Sequence, residues 1–195
     1  MNAIKLKPLE SFTDEEFYQF CRLNDDLHME RDANGNIIIM DLTGSEGSSF
    51  NSDVNTEVNI WNRQEKPGKV FDSNGGFTLP DTSVKGPDTA WIAIERWKAL
   101  PREDRKRFAH ISPDFVIEIR SENDTLEVLK EKMSDYIKNG VRLGWLIDPQ
   151  NQQTFIYRIN GTIELVDSFE KILSGEDVLE GFELKLSDLW EGEED

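Results

Sequence analysis

The chain has 195 residues, of which 37% are hydrophobic and 31% charged, and its formal net charge is −17. This length fits one domain of ordinary size. No apolar run approaches the roughly 20 residues needed to cross a bilayer, which excludes a membrane-spanning protein. The negative charge argues against a general nucleic-acid binder, because such a protein normally presents a basic surface to phosphate.

The first residues predict the compartment. The run MNAIKLKPLESFTDEEF lacks the apolar core of a secretory signal, and a single cysteine cannot form an internal disulfide. We therefore expect a cytoplasmic protein. The cysteine, Cys21, stands beside aromatic residues in FYQFCRLN, which favours a buried thiol over a nucleophile.

A helix and a hairpin are predicted over residues 12–43. Thr13 followed by Glu16 favours reciprocal capping of a helix start. Asn34-Gly35 lies between two strand-like runs, and this dipeptide favours the tight turn of an antiparallel hairpin.

The next segment begins with a flexible loop containing Gly44 and Gly47 and then predicts an amphipathic helix, with an apolar stripe at Val54, Val58 and Trp61. Short strands follow at KVFDS, FTLP and PDTAWIAI, which together predict a bent meander. The charged stretch ERWKALPREDRKRFAHIS is typical of a solvated helix and loop. It contains a basic cluster formed by Arg102, Arg105, Lys106 and Arg107.

The second half predicts a strand at PDFVIEIRS and then a helix that ends at Gly140. One face of this helix is apolar and carries Leu126, Leu129, Met133, Tyr136 and Ile137. Strands follow at VRLGWLIDP, QTFIYRI and TIELVDS, then a last apolar edge at EDVLEGFELKLSDLW and a solvated end at EGEED. This order predicts an α/β or α+β fold with a mixed β-sheet flanked by helices.

Two charged residues interrupt the strand PDFVIEIRS. Because neighbouring side chains of a strand point to opposite faces, Glu118 and Arg120 share one face and lie side by side. From this strand alone, an ion pair at a sheet edge or a solvated face explains them adequately.

Pairing of this strand with PDTAWIAI would let the carboxylates of Asp88 and Glu118 converge. Two nearby carboxylates favour protonation or a bound cation. Oxygen ligands suit magnesium or manganese better than zinc, and His28 and His110 lie at unrelated positions. Such a metal would act on phosphodiesters, with a nearby cation stabilising the developing charge.

The runs PDTAWI, PDFVIEIRS and LKEKMSDYIKNGVRLGWLIDP closely resemble the Uma-type family of endonucleases, within the restriction-endonuclease-like PD-(D/E)xK superfamily. FDSNGGFTLP and GEDVLEGFELKLSDLW extend the resemblance over most of residues 30 to 190. It implies a single restriction-endonuclease-like domain over residues 1–195. Within it we expect an N-terminal helix and hairpin at 12–43, a nuclease-like core at about 44–160 and a C-terminal extension at 161–195, with added β-hairpins.

The resemblance also implies site residues. Asp88 looks like the metal-binding aspartate and Glu118 like the second acidic ligand, with Mg²⁺ or Mn²⁺ as the cofactor. Family members often carry an acid on the first core helix, and Asp53 and Glu57 are the candidates here.

Arg120 and Lys132 are the two candidates for the catalytic cationic side chain. The superfamily commonly has lysine two residues after the second acid, where this chain has Arg120, and a helix lysine matching Lys132 is thought to take that role. Arginine can hold phosphate but is a poor proton acceptor, whereas lysine can do both. Lys130 and Lys132 both border the apolar stripe, so periodicity does not say which one returns towards the strand.

Other polar residues in these motifs are predicted to be structural. Asp114 is a turn former or supporting group, and Ser121 with Asp124 resembles a helix cap. Tyr136, Trp145 and Asp148 are most simply explained as core and strand-end residues.

The leading hypothesis is a magnesium-dependent endonuclease that hydrolyses DNA, and the alternative is a non-catalytic interaction module with a nuclease-like fold. A glycoside hydrolase is weaker, because no aromatic sugar platform is visible. DNA would bind weakly, to a local patch formed by Arg120, Lys132 and the basic cluster at 102–107. Exposed strand edges would allow a homodimer, and no base-reading motif predicts sequence specificity.

Overall fold

The computed structural model describes residues 4–8, 10–65 and 67–190. It contains four α-helices in this part of the chain: α1 (Asp14–Leu23), α2 (Ser45–Glu65), α3 (Ile94–Ala99) and α4 (Leu126–Lys138). The strands of the first half are β1 (Ile4–Leu6), β2 (His28–Arg31), β3 (Ile37–Met40), β4 (Gly68–Asp72), β5 (Phe77–Thr78), β6 (Val84–Lys85) and β7 (Thr89–Ala93). Those of the second half are β8 (Ala109–His110), β9 (Phe115–Ile119), β10 (Leu143–Asp148), β11 (Gln153–Arg158), β12 (Ile163–Val166), β13 (Ile172–Ser174) and β14 (Glu183–Lys185).

A mixed six-stranded sheet forms the centre, in the order β12-β11-β10-β9-β7-β4. Strands β9 and β10 are parallel and are joined through α4, whereas the other neighbours are antiparallel. The apolar runs of β9 and β10 are buried along their whole length, as expected for parallel strands covered on both faces. This central sheet therefore places the β9–α4–β10 unit in the core.

The two faces of the central sheet bury different side chains. On one face, Phe50, Val54 and Val58 of α2 pack with Ile117 and Trp145 of the strands and with apolar residues of the C-terminal segment. On the other face, α4 packs its apolar stripe against the alternate residues of the same strands. Strand alternation thus sends the side chains of Val116 and Glu118 towards α4.

A second six-stranded sheet has the order β1-β3-β2-β6-β5-β8. Helix α1 packs on it through Phe17, which is fully buried with Ile37 and Val84. Arg31 of β2 is also buried, and its guanidinium donates to the main-chain oxygens of Phe12 and Thr82. These bonds join the start of α1 to the second sheet.

The mixed α/β architecture predicted from the sequence is confirmed, with local differences. The capping box at the start of α1, the hairpin turn at Asn34-Gly35 and the helix stop at Gly140 are present. Gly47 lies inside the first turn of α2 rather than in the preceding loop. The predicted meander is divided between sheets, because β4 and β7 join the central sheet whereas β5 and β6 join the second.

Other expectations concern the ends of the chain and the membrane. The solvated end predicted at EGEED lies outside the described residues. The described helices include none with the length and apolarity that a membrane crossing needs.

Candidate active site

Asp88 and Glu118 come together because strands β7 and β9 pair. Their antiparallel register sets Thr89 opposite Ile117, so Asp88, one residue before β7, lies beside the end of β9. There its Oδ2 accepts a hydrogen bond of 2.7 Å from the main-chain N–H of Ile119. The pairing that the sequence suggested is confirmed, and it brings both acids to one end of the central sheet.

Lys132 of α4 reaches Glu118 from the adjacent layer. Its Nζ lies 2.8 Å from Glu118 Oε1, and both side chains are almost completely buried. The hydroxyl of Tyr136, one turn further along the helix, donates to the same oxygen at 2.9 Å. Lys130 instead stacks its ammonium 4.3 Å from the ring centre of Phe155, so α4 directs Lys132 and not Lys130 to the acids.

A third acid, Glu30 of β2, also contacts Lys132. Lys132 Nζ lies 2.9 Å from Glu30 Oε1, and Lys85 Nζ lies 3.2 Å from Glu30 Oε2. The main-chain N–H of Gly86 donates to Glu30 Oε1 at 3.0 Å. The sequence did not identify Glu30, since the residue lies in the hairpin of the other sheet. A charged Glu-Arg pair inside a strand-like run was the one available signal.

Burial and nearby charges shift the pKa values of the three acids. Those of Glu118 and Asp88 rise, and that of Glu30 falls. Burial raises the pKa of Glu118 to about 7 against the charge of Lys132, and repulsion from Asp88 and Glu30 adds to the rise. Burial also raises the pKa of Asp88, although the Ile119 N–H and Lys132 oppose it. Burial would raise the pKa of Glu30 as well, but Lys132, Lys85 and a main-chain N–H lower it to about 2.

The pKa of Lys132 is raised, because its two carboxylate partners outweigh the effect of burial. Lys132 is therefore an ammonium at neutral pH. The pKa values of its two partners shift in opposite directions, downward for Glu30 and upward for Glu118.

Asp88, Glu118 and Lys132 border an open pocket of about 530 Å³, which we call the cleft, whereas Glu30 is not among its described lining residues. It lies between the end of the second sheet, helix α2 and the carboxyl end of β9. Its charged lining consists of Lys132, His28 and five acids: Asp41, Asp72, Asp88, Glu118 and Asp124. Lys132 is thus the one lysine or arginine among the described residues that line the cleft, which makes the cleft acidic.

Helix α2 contributes amides and hydroxyls to the cleft rather than acids. Asn51, Ser52, Asn55 and Thr56 line it, whereas Asp53 and Glu57 do not. Asn51 Nδ2 donates to Asp88 Oδ1 at 3.2 Å, and the buried Asn51 Oδ1 has no hydrogen-bond partner within the described residues. The structure therefore does not bring the two predicted helix acids to the site.

Arg120 lies near Glu118 in the chain but is turned to a different partner. It follows the end of β9, and its Nη1 lies 3.2 Å from both carboxylate oxygens of Asp148, which is fully buried at the end of β10. Its Nε donates to the main-chain oxygen of Asp124. Arg120 is not among the described residues that line the cleft. Its guanidinium instead pairs with Asp148 at the end of the neighbouring strand β10.

The predicted basic cluster is also outside the cleft. Lys106 pairs with Glu103 on the surface and Arg107 pairs with Glu15 of α1. None of the described cleft-lining residues comes from positions 102–107. A local positive patch of the expected composition is therefore not assembled.

The supporting residues have structural partners. Asp114 is buried and accepts from the Ala93 N–H at 2.9 Å while pairing with Arg96 at 2.8 Å. Asp124 Oδ2 accepts from the Ser121 N–H, so the carboxylate and not the hydroxyl fixes this turn, and α4 begins at Leu126. His28 and His110 do not join Asp88 and Glu118: His110 bridges Asp14 and Asp104, and His28 contacts Asn74.

The cleft offers oxygen donors of the kind that a divalent cation binds. Within residues 4–8, 10–65 and 67–190, no group of three or more His, Cys, Asp or Glu side chains is arranged to hold a metal. Two carboxylates, Asp88 and Glu118, and the unpaired Asn51 Oδ1 are nevertheless all hard oxygen donors. A cation would offset the burial and the repulsion that together raise the pKa of Glu118. The donors fit magnesium or manganese in kind, with two carboxylates rather than three.

A known protein family and a solved structure match this chain. The solved structure described as "a putative nuclease belonging to DUF820 from Anabaena variabilis ATCC 29413" has the same fold, with a TM-score of 0.75 and 24% identity. The match covers 91% of this chain and 97% of that chain. No curated protein matches the sequence. The family model Uma2, described as "Putative restriction endonuclease", matches residues 14–187, and the chain belongs to this family.

Proposed function

We propose that the protein is a metal-dependent endonuclease that hydrolyses DNA phosphodiester bonds with Mg²⁺ or Mn²⁺. The observation that carries the proposal is the meeting of Asp88, Glu118 and Lys132 in one cleft. Membership of the Uma2 family supports the class of activity. The DNA substrate, the metal cofactor and the roles of the three residues are all part of this proposal.

Asp88 and Glu118 would hold the cation, with Asn51 Oδ1 as a neutral oxygen donor beside them. When bound, the cation supplies polarisation of a phosphoryl oxygen and a lowered pKa for an attacking water. The carboxylates suit this task, because their buried, crowded position makes the ionised pair costly without a cation. The cleft therefore favours cation binding over two unpaired negative charges.

Lys132 would stabilise negative charge on the phosphate in the transition state. A buried ammonium that already occupies its position costs no reorganisation when charge develops. Its raised pKa makes it an unsuitable proton acceptor, so we assign it a stabilising role and not that of a general base. Arg120, bound to Asp148, has no part in this assignment.

The acidity of the cleft supports a dependence on divalent cations. Five carboxylates and one lysine line it, and a polyanion without added cations would be repelled. DNA binding should therefore be weak in the absence of metal and strengthen when Mg²⁺ or Mn²⁺ is present.

A non-catalytic interaction module is the second candidate. The observation that favours it is the neutralisation of Lys132 by two carboxylates, since this leaves little positive charge for phosphate. A module of this kind would remain folded and would show no response to divalent cations. Metal-dependent cleavage of DNA by the wild type separates the two functions.

The test is cleavage of supercoiled, linear duplex and single-stranded DNA with Mg²⁺ and, separately, Mn²⁺. We expect cleavage by the wild type and a loss of about a hundredfold or more in Glu118→Gln and Asp88→Asn, because each removes charge at the reacting centre. Glu131→Gln, which changes an exposed acid of α4, is the matched control and should cleave at the wild-type rate. No cleavage of any substrate, or equal cleavage by all variants, would reject the proposal.

We also propose a cytoplasmic location. Cys21 is half-buried, and burial raises the pKa of its thiol to about 11. A single cysteine forms no internal disulfide, so the fold has no need of an oxidising compartment. Detection of the native protein in fractionated cells tests this location.

A further inference from the structure

Glu30 carries a buried carboxylate that has no role in the proposed reaction. Its side chain is 4% exposed, and it comes from the second sheet rather than from the central sheet that carries Asp88 and Glu118. It accepts from Lys132, Lys85 and the Gly86 N–H. Gly86 is two residues before Asp88, so Glu30 contacts both the lysine and the segment that leads to the aspartate.

Lys132 lies between two carboxylates at nearly equal distances. Its Nζ is 2.9 Å from Glu30 Oε1 and 2.8 Å from Glu118 Oε1. Glu118 Oε2 has no hydrogen bond or ion pair within the described residues. The ammonium is therefore shared between the two glutamates, of which Glu118 lines the cleft.

Glu30 has partners besides Lys132. Lys85 and a main-chain N–H already satisfy this carboxylate. Buried ion pairs are weak contributors to stability, because the loss of hydration offsets the attraction. A buried pair of this kind is thus weak evidence for a purely stabilising role, and Lys132 also lines the cleft.

We infer that Glu30 is a positioning residue for Lys132, which binds the ammonium from the second sheet while Glu118 binds it from the central sheet. Its effect on the reaction rests on the proposed nuclease function, while its hold on Lys132 does not. Without Glu30, Lys132 pairs with Glu118 alone and competes with a cation for that carboxylate. The hairpin of the second sheet is then part of the site and not an added element.

Two measurements on Glu30→Gln test the inference, since the amide keeps the shape of the side chain and removes its charge. The first is the labelling rate of Lys132 by an amine-reactive reagent, read by mass spectrometry. We expect Lys132 to become about tenfold more reactive, because one of its two carboxylate partners is lost. Lys138, which is 73% exposed on the same helix, supplies the internal control and should react at an unchanged rate.

The second measurement is Mg²⁺-dependent DNA cleavage together with calorimetric titration of Mg²⁺. We expect kcat and metal affinity each to fall by about 10- to 100-fold, the usual effect of removing a group that orients a site residue. In a Lys132→Met background the same change should alter metal affinity by less than about twofold, because Glu30 acts through Lys132. Glu103→Gln, at an exposed pair with Lys106, is the matched control and should be without effect.

The outcomes separate this inference from the proposed function. Unchanged labelling of Lys132 in folded Glu30→Gln overturns the inference, as does wild-type cleavage by that variant. Failure of the wild type to cleave DNA rejects the nuclease but leaves the labelling result to decide the role of Glu30. If Glu30→Gln does not fold, Glu30→Asp draws the carboxylate back by one methylene and should change labelling in the same direction.

Discussion

Replacing Lys132 by methionine removes the ammonium that two buried glutamates share. The substitution keeps an unbranched side chain of similar length, so the main change is electrostatic. Glu30 retains Lys85 and the Gly86 N–H, whereas Glu118 retains the hydroxyl of Tyr136. The unfavourable charge is therefore concentrated at Glu118.

The expected loss of stability follows from this imbalance. Removing one partner of a buried ion pair costs about 3–5 kcal/mol when the other remains charged. Glu118 can escape by taking up a proton, since burial already raises its pKa to about 7 in the wild type. A folded-state pKa above the ordinary 4.5 gives stability that is complete below the unfolded pKa and is lost as pH rises through the folded pKa. Loss of Lys132 raises that pKa further, so the penalty grows with pH.

Urea denaturation followed by tryptophan fluorescence measures this effect. We expect Lys132→Met to be destabilised by about 3–5 kcal/mol near pH 8 and by less than about 2 kcal/mol near pH 5. Lys138→Met, at the exposed pair with Asp135 on the same helix, should change stability by less than about 0.5 kcal/mol at both pH values. A loss at Lys132 below about 1 kcal/mol near pH 8, or one that does not vary with pH, would refute the reasoning.

Three further predictions follow from the contacts. Tyr136→Phe removes the hydrogen bond to Glu118 and should cost about 1.5–3 kcal/mol of unfolding free energy; an unchanged urea midpoint would contradict it. His110 has carboxylates at both ring nitrogens, whose hydrogen bonds raise its pKa, so its contribution to stability should be present below the unfolded pKa and vanish as pH rises through the folded value. An NMR titration that finds the pKa at or below its ordinary 6.5 would refute this. Gly68→Ala sets a Cβ 2.4 Å from a main-chain oxygen of the paired strand, whereas in Gly144→Ala the neighbour at 2.5 Å is a flexible methionine methyl. Gly68→Ala should therefore lower the melting temperature more than Gly144→Ala. The reverse order would contradict this reasoning.

Local patterns allowed much of the fold to be predicted. The capping residues of α1, the Asn34-Gly35 turn and the helix stop at Gly140 each depend on a few neighbouring residues, so the sequence specifies them directly. The sequence raised the pairing of β7 with β9 only as a condition, and the structure shows this pairing, which brings Asp88 beside Glu118. The roles of those two acids are still proposals.

The rest of the site depends on contacts between distant segments. The partner of Arg120 is set by the register of β9 against β10, which places Asp148 beside it, and strand alternation alone does not reveal that register. Lys130 and Lys132 have equivalent positions in the helical pattern and separate only once α4 is docked. Glu30 joins them because two sheets pack together, and no local pattern encodes that packing.

The two carboxylate contacts of Lys132 differ greatly in their separation along the chain. Glu118 and Lys132 belong to the continuous β9–α4–β10 segment, and short loops close at a small cost in chain entropy. Glu30 reaches the same ammonium from near the other end of the chain. The lysine thus has one carboxylate partner close by in the chain, on the adjoining strand, and a second that it can meet only when the two sheets dock, so Glu30 ties the hairpin of the second sheet to the β9–α4–β10 unit.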